Sequence, residues 1–341
     1  MTGSPPFLLL APLAFGSALL LTPLVRRIAC ATGYIDHPDP RKAHPEPTPL
    51  LGGIAVALAL VVAAVLARVF FHLAVPIPEP GVLAGAVLSL GLGLFDDRRP
   101  MGPLGKFIGQ LAVAACLVFW GPHVAWIEKN PIALVGAVLA VVTLLNAVNF
   151  LDAMDGVVGT VLPIMILGFI AIALAHGAPV PLAPAWGLVG ACAGFLVYNA
   201  PPARIFLGDA GSHFLGFAIA AFALTALRDA PTIPHAAAVS LFLAYPVFDV
   251  AFVVLDRTLR RRPIYVGGVD HTTHRLGRVL GPWGTLAAIA CVSALSVLAG
   301  FCVWSLENAQ LAIAAVLIIG LGYAIFGHYL RRIGPTPHFD I

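Results

Sequence analysis

Long apolar runs alternate with short polar breaks along nearly the whole chain. Eleven runs read as helical spans: 6–24, 50–74, 81–95, 107–122, 131–148, 157–176, 185–199, 212–228, 236–256, 282–304 and 309–330. About 18–20 apolar residues cross a bilayer core as a helix, and a helix satisfies its own backbone hydrogen bonds in lipid. The runs at 81–95 and 185–199 are short for this, so their true ends are expected elsewhere. Only two breaks are long, 25–49 and 257–281, each of 25 residues. Neither is large enough to build a soluble domain. The pattern predicts an all-α, polytopic integral membrane protein of about 10–11 transmembrane helices, forming one domain over 1–341.

Composition agrees. The chain is 60% hydrophobic and 10% charged, where a soluble domain carries about 25% charge. Five cysteines form no paired motif, and four lie in apolar runs, where they serve as small hydrophobes. The first apolar run is followed by Arg26 and Arg27, not by a cleavage site, so it is expected to be a retained helix. Charge distribution sets the orientation. Of 19 basic residues, all but Arg68, Lys129 and Arg228 fall on one side of the alternation. The positive-inside rule puts that side in the cytoplasm. With eleven spans, the N-terminus is expected outside and the C-terminus inside a bacterial inner membrane.

The carboxylates test this orientation independently. Asp96, Asp97, Asp152, Asp155, Asp209 and Asp270 all fall at cytoplasmic ends of spans. Charges at that depth are costly unless they face a polar cavity. One boundary aspartate is ordinary, but a cluster of polar, Gly-punctuated segments on one face points to a site there. Asp96 and Asp97 are adjacent and repel, so they call for a cation or a shared proton; Arg98 and Arg99 could satisfy them instead. Lys106 opens the next span and offers a point charge to phosphate. Asn146, Asn149, Asp152 and Asp155 recur every three residues, which places them on one helical stripe. Such oxygens suit Mg²⁺ or nucleotide hydrogen bonds, or else a polar seam between helices. Gly208-Asp209-Ala210-Gly211-Ser212 opens a helix whose free N–H groups suit an anion. Asp270-His271-Thr272-Thr273-His274-Arg275 gathers phosphate donors, while Arg260, Arg261 and Arg262 suit lipid headgroups. The first long loop is Pro-rich and basic, with Asp36, Arg41, Lys42 and His44.

Together, RKAHPEPTPLLGG, FDD, NAVNFLDAMDG, NAPPARIFLGDAGS and DHTTHRL stand in the order of a known family. From about residue 26 to 280 the chain resembles the polyprenyl-phosphate N-acetylhexosamine-1-phosphate transferases of glycosyltransferase family 4. Its relatives include the undecaprenyl-phosphate N-acetylglucosamine-1-phosphate transferases and the phospho-MurNAc-pentapeptide translocases. The last motif departs from the family's H-x-H-H form, with Thr273 in place of the middle histidine. That departure favours a simpler UDP-N-acetylhexosamine over the pentapeptide substrate.

The resemblance implies that a lipid phosphate attacks the β-phosphorus of a UDP-sugar and releases UMP. It makes Asp96, Asp97, His271 and His274 the candidate catalytic residues. Asp96 and Asp97 would deprotonate or position the lipid phosphate. Lys106, Asp152, Asp155, Asn199, Phe206 and Arg275 become candidates for binding substrate. Asp155, Asn199 and Phe206 fall at the uracil, and Lys106, His271, His274 and Arg275 at the pyrophosphate. Asn149 and Asp209 would hold Mg²⁺, with Mn²⁺ as a substitute. Asp249, inside the ninth span, either orders the 257–281 loop or pairs with a neighbour. The implied partners are a UDP-sugar, undecaprenyl phosphate and membrane lipids, with no nucleic acid; a homodimer is compatible with the chain. A transporter would instead place ionisable residues near mid-membrane, where the outer halves of these spans are nearly bare. A non-catalytic lipid-binding scaffold would not need the paired aspartates together with Asn149 and Asp209.

Overall fold

The computed structural model describes residues 6–38, 46–229, 231–263, 268 and 270–333. Arg41, Lys42 and His44, which the sequence places in the first polar loop, lie outside the described residues. After a 3₁₀ turn at Pro6–Leu9 come α1 (Leu10–Thr32), α2 (Gly52–Phe71), α3 (Pro80–Arg98) and α4 (Pro103–Trp120). Next are the short α5 (Ala125–Glu128), then α6 (Pro131–Leu151), α7 (Val157–His176), α8 (Leu182–Asn199) and α9 (Gly208–Ala226). The last are α10 (Ile233–Phe242), α11 (Ala244–Leu259), α12 (Thr272–Leu306) and α13 (Ala309–Ile333). The strands among the described residues, β1 (Ile35–Asp36) and β2 (Thr48–Pro49), pair antiparallel and close the neck of the first loop.

Among the described residues, ten helices are long and apolar enough to cross a membrane, and α10 with α11, bent by 69°, makes an eleventh if that pair is one span. The protein is therefore an all-α, multi-pass membrane protein. Proline opens α3, α4, α6 and α10, where its fixed φ suits the first turn and its missing N–H costs nothing. Asn130 caps α6 by accepting from Ile132 N at 3.0 Å and Ala133 N at 3.3 Å.

Two features differ from the hydropathy reading. The short runs widen to 19 residues in α3 and 18 in α8. Helix continues past the apolar stretch, and α3 thereby takes in Asp96 and Asp97. Both ends of the supposed loop 257–281 are helix: α11 runs to Leu259, and α12 starts at Thr272 and breaks at Gly281, φ 67°. Polar residues there hide the helix from a hydropathy pattern.

At the centre of the bundle stands α9, with 16 of its 19 residues buried. It packs on α2, α3, α6 and α7. The crossing with α3 is close because Gly93 has no side chain; a Cβ there would come within 2.1 Å of the Asp209 carbonyl oxygen. At the edge lies α13, whose Leu317 and Ile318 are exposed. An apolar exterior of this kind is what lipid requires.

A buried ionic knot joins the C-terminal ends of α11 and α13 to the N-terminal end of α12. The Asp256 carboxylate accepts from Arg275 Nη2, from Arg260 Nε at 2.9 Å and from Arg331 Nε at 3.3 Å. Arg275 is fully buried. It also donates to Asp270 O at 3.3 Å and Leu330 O at 3.2 Å, and lies 4.9 Å over the Phe252 ring. This corrects the expectation that Arg275 holds the pyrophosphate: its donors are committed to protein groups and no face of it is open. Removing one partner of a buried pair costs about 3–5 kcal/mol. Arg275→Ala is therefore expected to lower the melting temperature in detergent by several degrees, while exposed Arg261→Ala leaves it unchanged. Loss of activity in Arg275→Ala with an unchanged melting temperature would return Arg275 to the substrate.

Candidate active site where four helices converge

Helix α9 begins with N–H groups that its own turn cannot satisfy, and the residue before it, Leu207, has no side chain able to cap them. The cap comes from α3. Asp97 Oδ1 accepts from Asp209 N at 2.8 Å, and Oδ2 accepts from Ala210 N at 3.1 Å. Gly208, at φ 76°, makes the turn; a Cβ there would meet Asp97 Oδ2 at 2.9 Å. Asp97 thus fixes the backbone of Asp209 against the end of α3.

Its neighbour Asp96 faces the opposite way. Asp96 Oδ1 accepts from Met101 N at 2.6 Å, and Oδ2 lies 2.8 Å from Lys106 Nζ. The same ammonium donates to Asp209 Oδ2 at 3.0 Å and to Asn149 Oδ1 at 3.2 Å. Asn149 Nδ2 in turn donates to Asp209 Oδ1 at 2.6 Å and Ser212 Oγ at 2.9 Å. Four helices, α3, α4, α6 and α9, therefore bring Asp96, Lys106, Asn149 and Asp209 to one point. The two arginines expected as alternative partners for the aspartates lie elsewhere. Arg98 donates to Thr32 O and Gly33 O at 3.0 and 2.9 Å, and Arg99 is exposed.

The charge balance at that point is negative. Asp152 ends α6, and its carboxyl is held well above the usual carboxylate range, by burial first and then by the charges of Asp209, Asp97 and Asp155. The cluster thus resists full ionisation with Lys106 as its close cation. No group of three or more His, Cys, Asp or Glu side chains is arranged around a metal position among the described residues. The donors that do converge are two carboxylates and an amide, all hard oxygens, already gathered around a cation in the form of the ammonium. Such a set fits a hard divalent ion that keeps further positions for water and phosphate.

The other expected residues surround this point at different depths. Asp155 Oδ2 accepts from Ala203 N at 2.9 Å. Asn199 is buried, accepting from Gly156 N at 3.1 Å and donating to Ile205 O at 3.0 Å. Both residues tie the turn after α6 to the turn before α9. Asn199 serves that tie with its carbonyl oxygen and one amide N–H. Phe206 is half-buried, and its backbone bridges Pro49 O at 2.8 Å and Gly52 N at 2.9 Å. His271 packs edge-on against Phe150, the neighbour of Asn149, with centroids 5.8 Å apart, and His274 lies 5.8 Å from His271. Thr273 is fully buried, so the position where the family's motif has histidine points into the protein here. Its bearing on substrate choice is correspondingly indirect.

Of the layer beneath, sequence reasoning named only Asn146 and missed Gln110 and His213. Gln110 and Asn146 exchange hydrogen bonds at 3.1 and 2.8 Å. Gln110 also lies 3.2 Å from His213 Nε2, whose Nδ1 is 2.8 Å from Asp209 O. The signal was spacing: Lys106 and Gln110 are four apart on α4, as are Asp209 and His213 on α9.

A sequence model of glycosyl transferase family 4 matches residues 80–227, the stretch holding Asp96, Asp97, Lys106, Asn149 and Asp209. A Bacillus subtilis protein named probable undecaprenyl-phosphate N-acetylglucosaminyl 1-phosphate transferase is 30% identical, over 76% of this chain and 74% of its own. The Mycobacterium tuberculosis decaprenyl-phosphate N-acetylglucosaminephosphotransferase is 32% identical, over 74% of this chain and 71% of its own. A Heliobacterium modesticaldum phospho-N-acetylmuramoyl-pentapeptide-transferase is 32% identical, over a smaller 60% of this chain and 68% of its own. Shared identity over most of both chains, with the clustered carboxylates inside the matched stretch, makes this protein a member of glycosyl transferase family 4, a membrane-embedded phosphosugar transferase.

Proposed function

We propose that the chain transfers N-acetylglucosamine-1-phosphate from UDP-N-acetylglucosamine to undecaprenyl phosphate, releasing UMP, at the cytoplasmic face of a bacterial inner membrane. The observation that carries this reading is the convergence of Asp96, Asn149 and Asp209 on Lys106 Nζ at the inner helix ends. The N-acetylglucosamine in the names of two relatives supports the choice of sugar. The basic asymmetry supports a cytoplasmic site, with the N-terminus outside and the C-terminus inside.

In the reaction a lipid phosphate oxygen bonds to the β-phosphorus. The bond from that phosphorus to the bridging oxygen breaks, and UMP leaves with the electron pair. Both reactants are anions, so their repulsion must be neutralised before they meet. Lys106 supplies one positive charge at the meeting point. Asp209 and Asn149 would hold Mg²⁺, with Mn²⁺ as a substitute, which supplies the remaining neutralisation when bound. The lipid phosphate is already largely ionised near pH 7, its second pKa being about 6. Asp96 is therefore assigned to positioning that phosphate beside Lys106, and Asp97 to holding Asp209. His271 and His274 are assigned to the pyrophosphate, and Asp155 and Phe206 to the uracil side.

Sealed inverted vesicles containing the protein, undecaprenyl phosphate and Mg²⁺ should form lipid-linked sugar from added radiolabelled UDP-N-acetylglucosamine. Right-side-out vesicles and UDP-MurNAc-pentapeptide should yield little. Faster turnover of the pentapeptide substrate, or transfer only in right-side-out vesicles, would contradict the reading.

Asp209→Asn keeps shape and one oxygen but removes a charge from the convergence point. Activity is expected to fall roughly a hundredfold or more, the scale of a single electrostatic stabiliser. Excess Mg²⁺ or Mn²⁺ should restore part of the rate, and the melting temperature should hold. Wild-type activity, or a loss explained by unfolding, would remove Asp209 from the metal site.

A further inference from the structure

Asp249 lies on α11, six residues beyond Leu243, where the bent span turns, and it is completely buried. A carboxylate at that depth must be fully hydrogen-bonded, and this one is. Its Oδ1 accepts from Thr272 N at 3.0 Å and from Thr272 Oγ1 at 2.5 Å. Its Oδ2 lies 2.9 Å from His271 Nδ1. Tyr245 OH, 2.9 Å from Thr272 Oγ1, closes the cluster. His271 precedes α12 and provides no side-chain cap for it, so Asp249 caps α12 from a neighbouring helix, as Asp97 caps α9.

An ionised carboxylate can only accept. Nδ1 of His271 must therefore carry a proton, and that choice leaves Nε2, on the other edge of the ring, as the nitrogen open to other groups. No described residue bonds to Nε2, and the ring is held edge-on by Phe150, next to Asn149. The 69° bend between α10 and α11 is what delivers the carboxylate to this position.

We infer that Asp249 is a positioning residue for phosphosugar transfer: it fixes the tautomer and orientation of His271 so that Nε2 is presented to the pyrophosphate. The inference rests on the proposed role of His271 in that transfer. A purely structural role would be to cap α12 and no more. Asp249→Asn separates the two, because the amide oxygen still caps Thr272 while the amide NH₂ meets Nδ1 and forces the opposite tautomer.

The test is a double-mutant cycle on the full-length protein in detergent, with radiolabelled UDP-N-acetylglucosamine and undecaprenyl phosphate. Asp249→Asn is expected to lower kcat roughly 10–100-fold, the range for groups that orient a functional histidine. KM for the UDP-sugar and the melting temperature should change little. In a His271→Gln background the same substitution should cost less than about twofold, since coupled residues are non-additive. Asp249→Glu, which restores an accepting carboxylate, should recover at least tenfold over the Asn variant. Additive losses, or a Glu variant no better than Asn, would overturn the inference. Should Asp249→Asn fail to fold, the Glu variant decides: within tenfold of wild type supports positioning, and a hundredfold loss in a folded protein overturns it. Absence of lipid-linked product from the wild type would instead count against the proposed function.

Discussion

The site depends on one hydrogen-bonded contact, the Asp97 carboxylate on the first N–H groups of α9. A helix that starts inside a membrane protein exposes donors that lipid cannot satisfy. Here the missing acceptor is supplied by an adjacent helix, which can come near enough because Gly93 lets α3 lie against the Asp209 backbone. The contact satisfies a helix end and sets the distance between two acidic segments more than 100 residues apart in sequence. Asp96, the preceding residue, is then held between Met101 N and Lys106 Nζ.

That arrangement concentrates negative charge. Asp96 and Asp209 each lie within about 3 Å of the same ammonium, while burial, and then the charges of Asp209, Asp97 and Asp155, hold the Asp152 carboxyl above the usual carboxylate range. A cluster so poor in counter-charge suits a reaction between two phosphates, provided cations arrive with them. The layer of Gln110, Asn146 and His213 ties α4, α6 and α9 together beneath it. Asp249 repeats the device at α12, where a buried carboxylate again caps a helix end and presents a polar side chain.

Much of this was legible in the chain. Apolar length marked the spans, and three-residue spacing put Asn149 on the stripe that reaches Asp209. What escaped was whatever depends on contacts between distant segments. Arg275 sits among donors typical of phosphate binding, yet Asp256 and Leu330 bury it; nothing local distinguishes the two fates. Asn199 and Thr273 likewise turn inward. The bend between α10 and α11 lies inside one continuous apolar run, so hydropathy sees a single span. The first turns of α12 are polar because they face ionic partners, and hydropathy therefore reads helix as loop.

The central claim is that oxygens already gathered around Lys106 form the seat of a divalent cation. Mn²⁺ binding followed by electron paramagnetic resonance in the presence of UDP-N-acetylglucosamine tests it without reference to turnover. The wild type should bind Mn²⁺, and Asn149→Ala, which removes an oxygen from the seat, should bind it at least about tenfold more weakly at an unchanged melting temperature. Equal binding by the two proteins, or none by the folded wild type, would contradict the account.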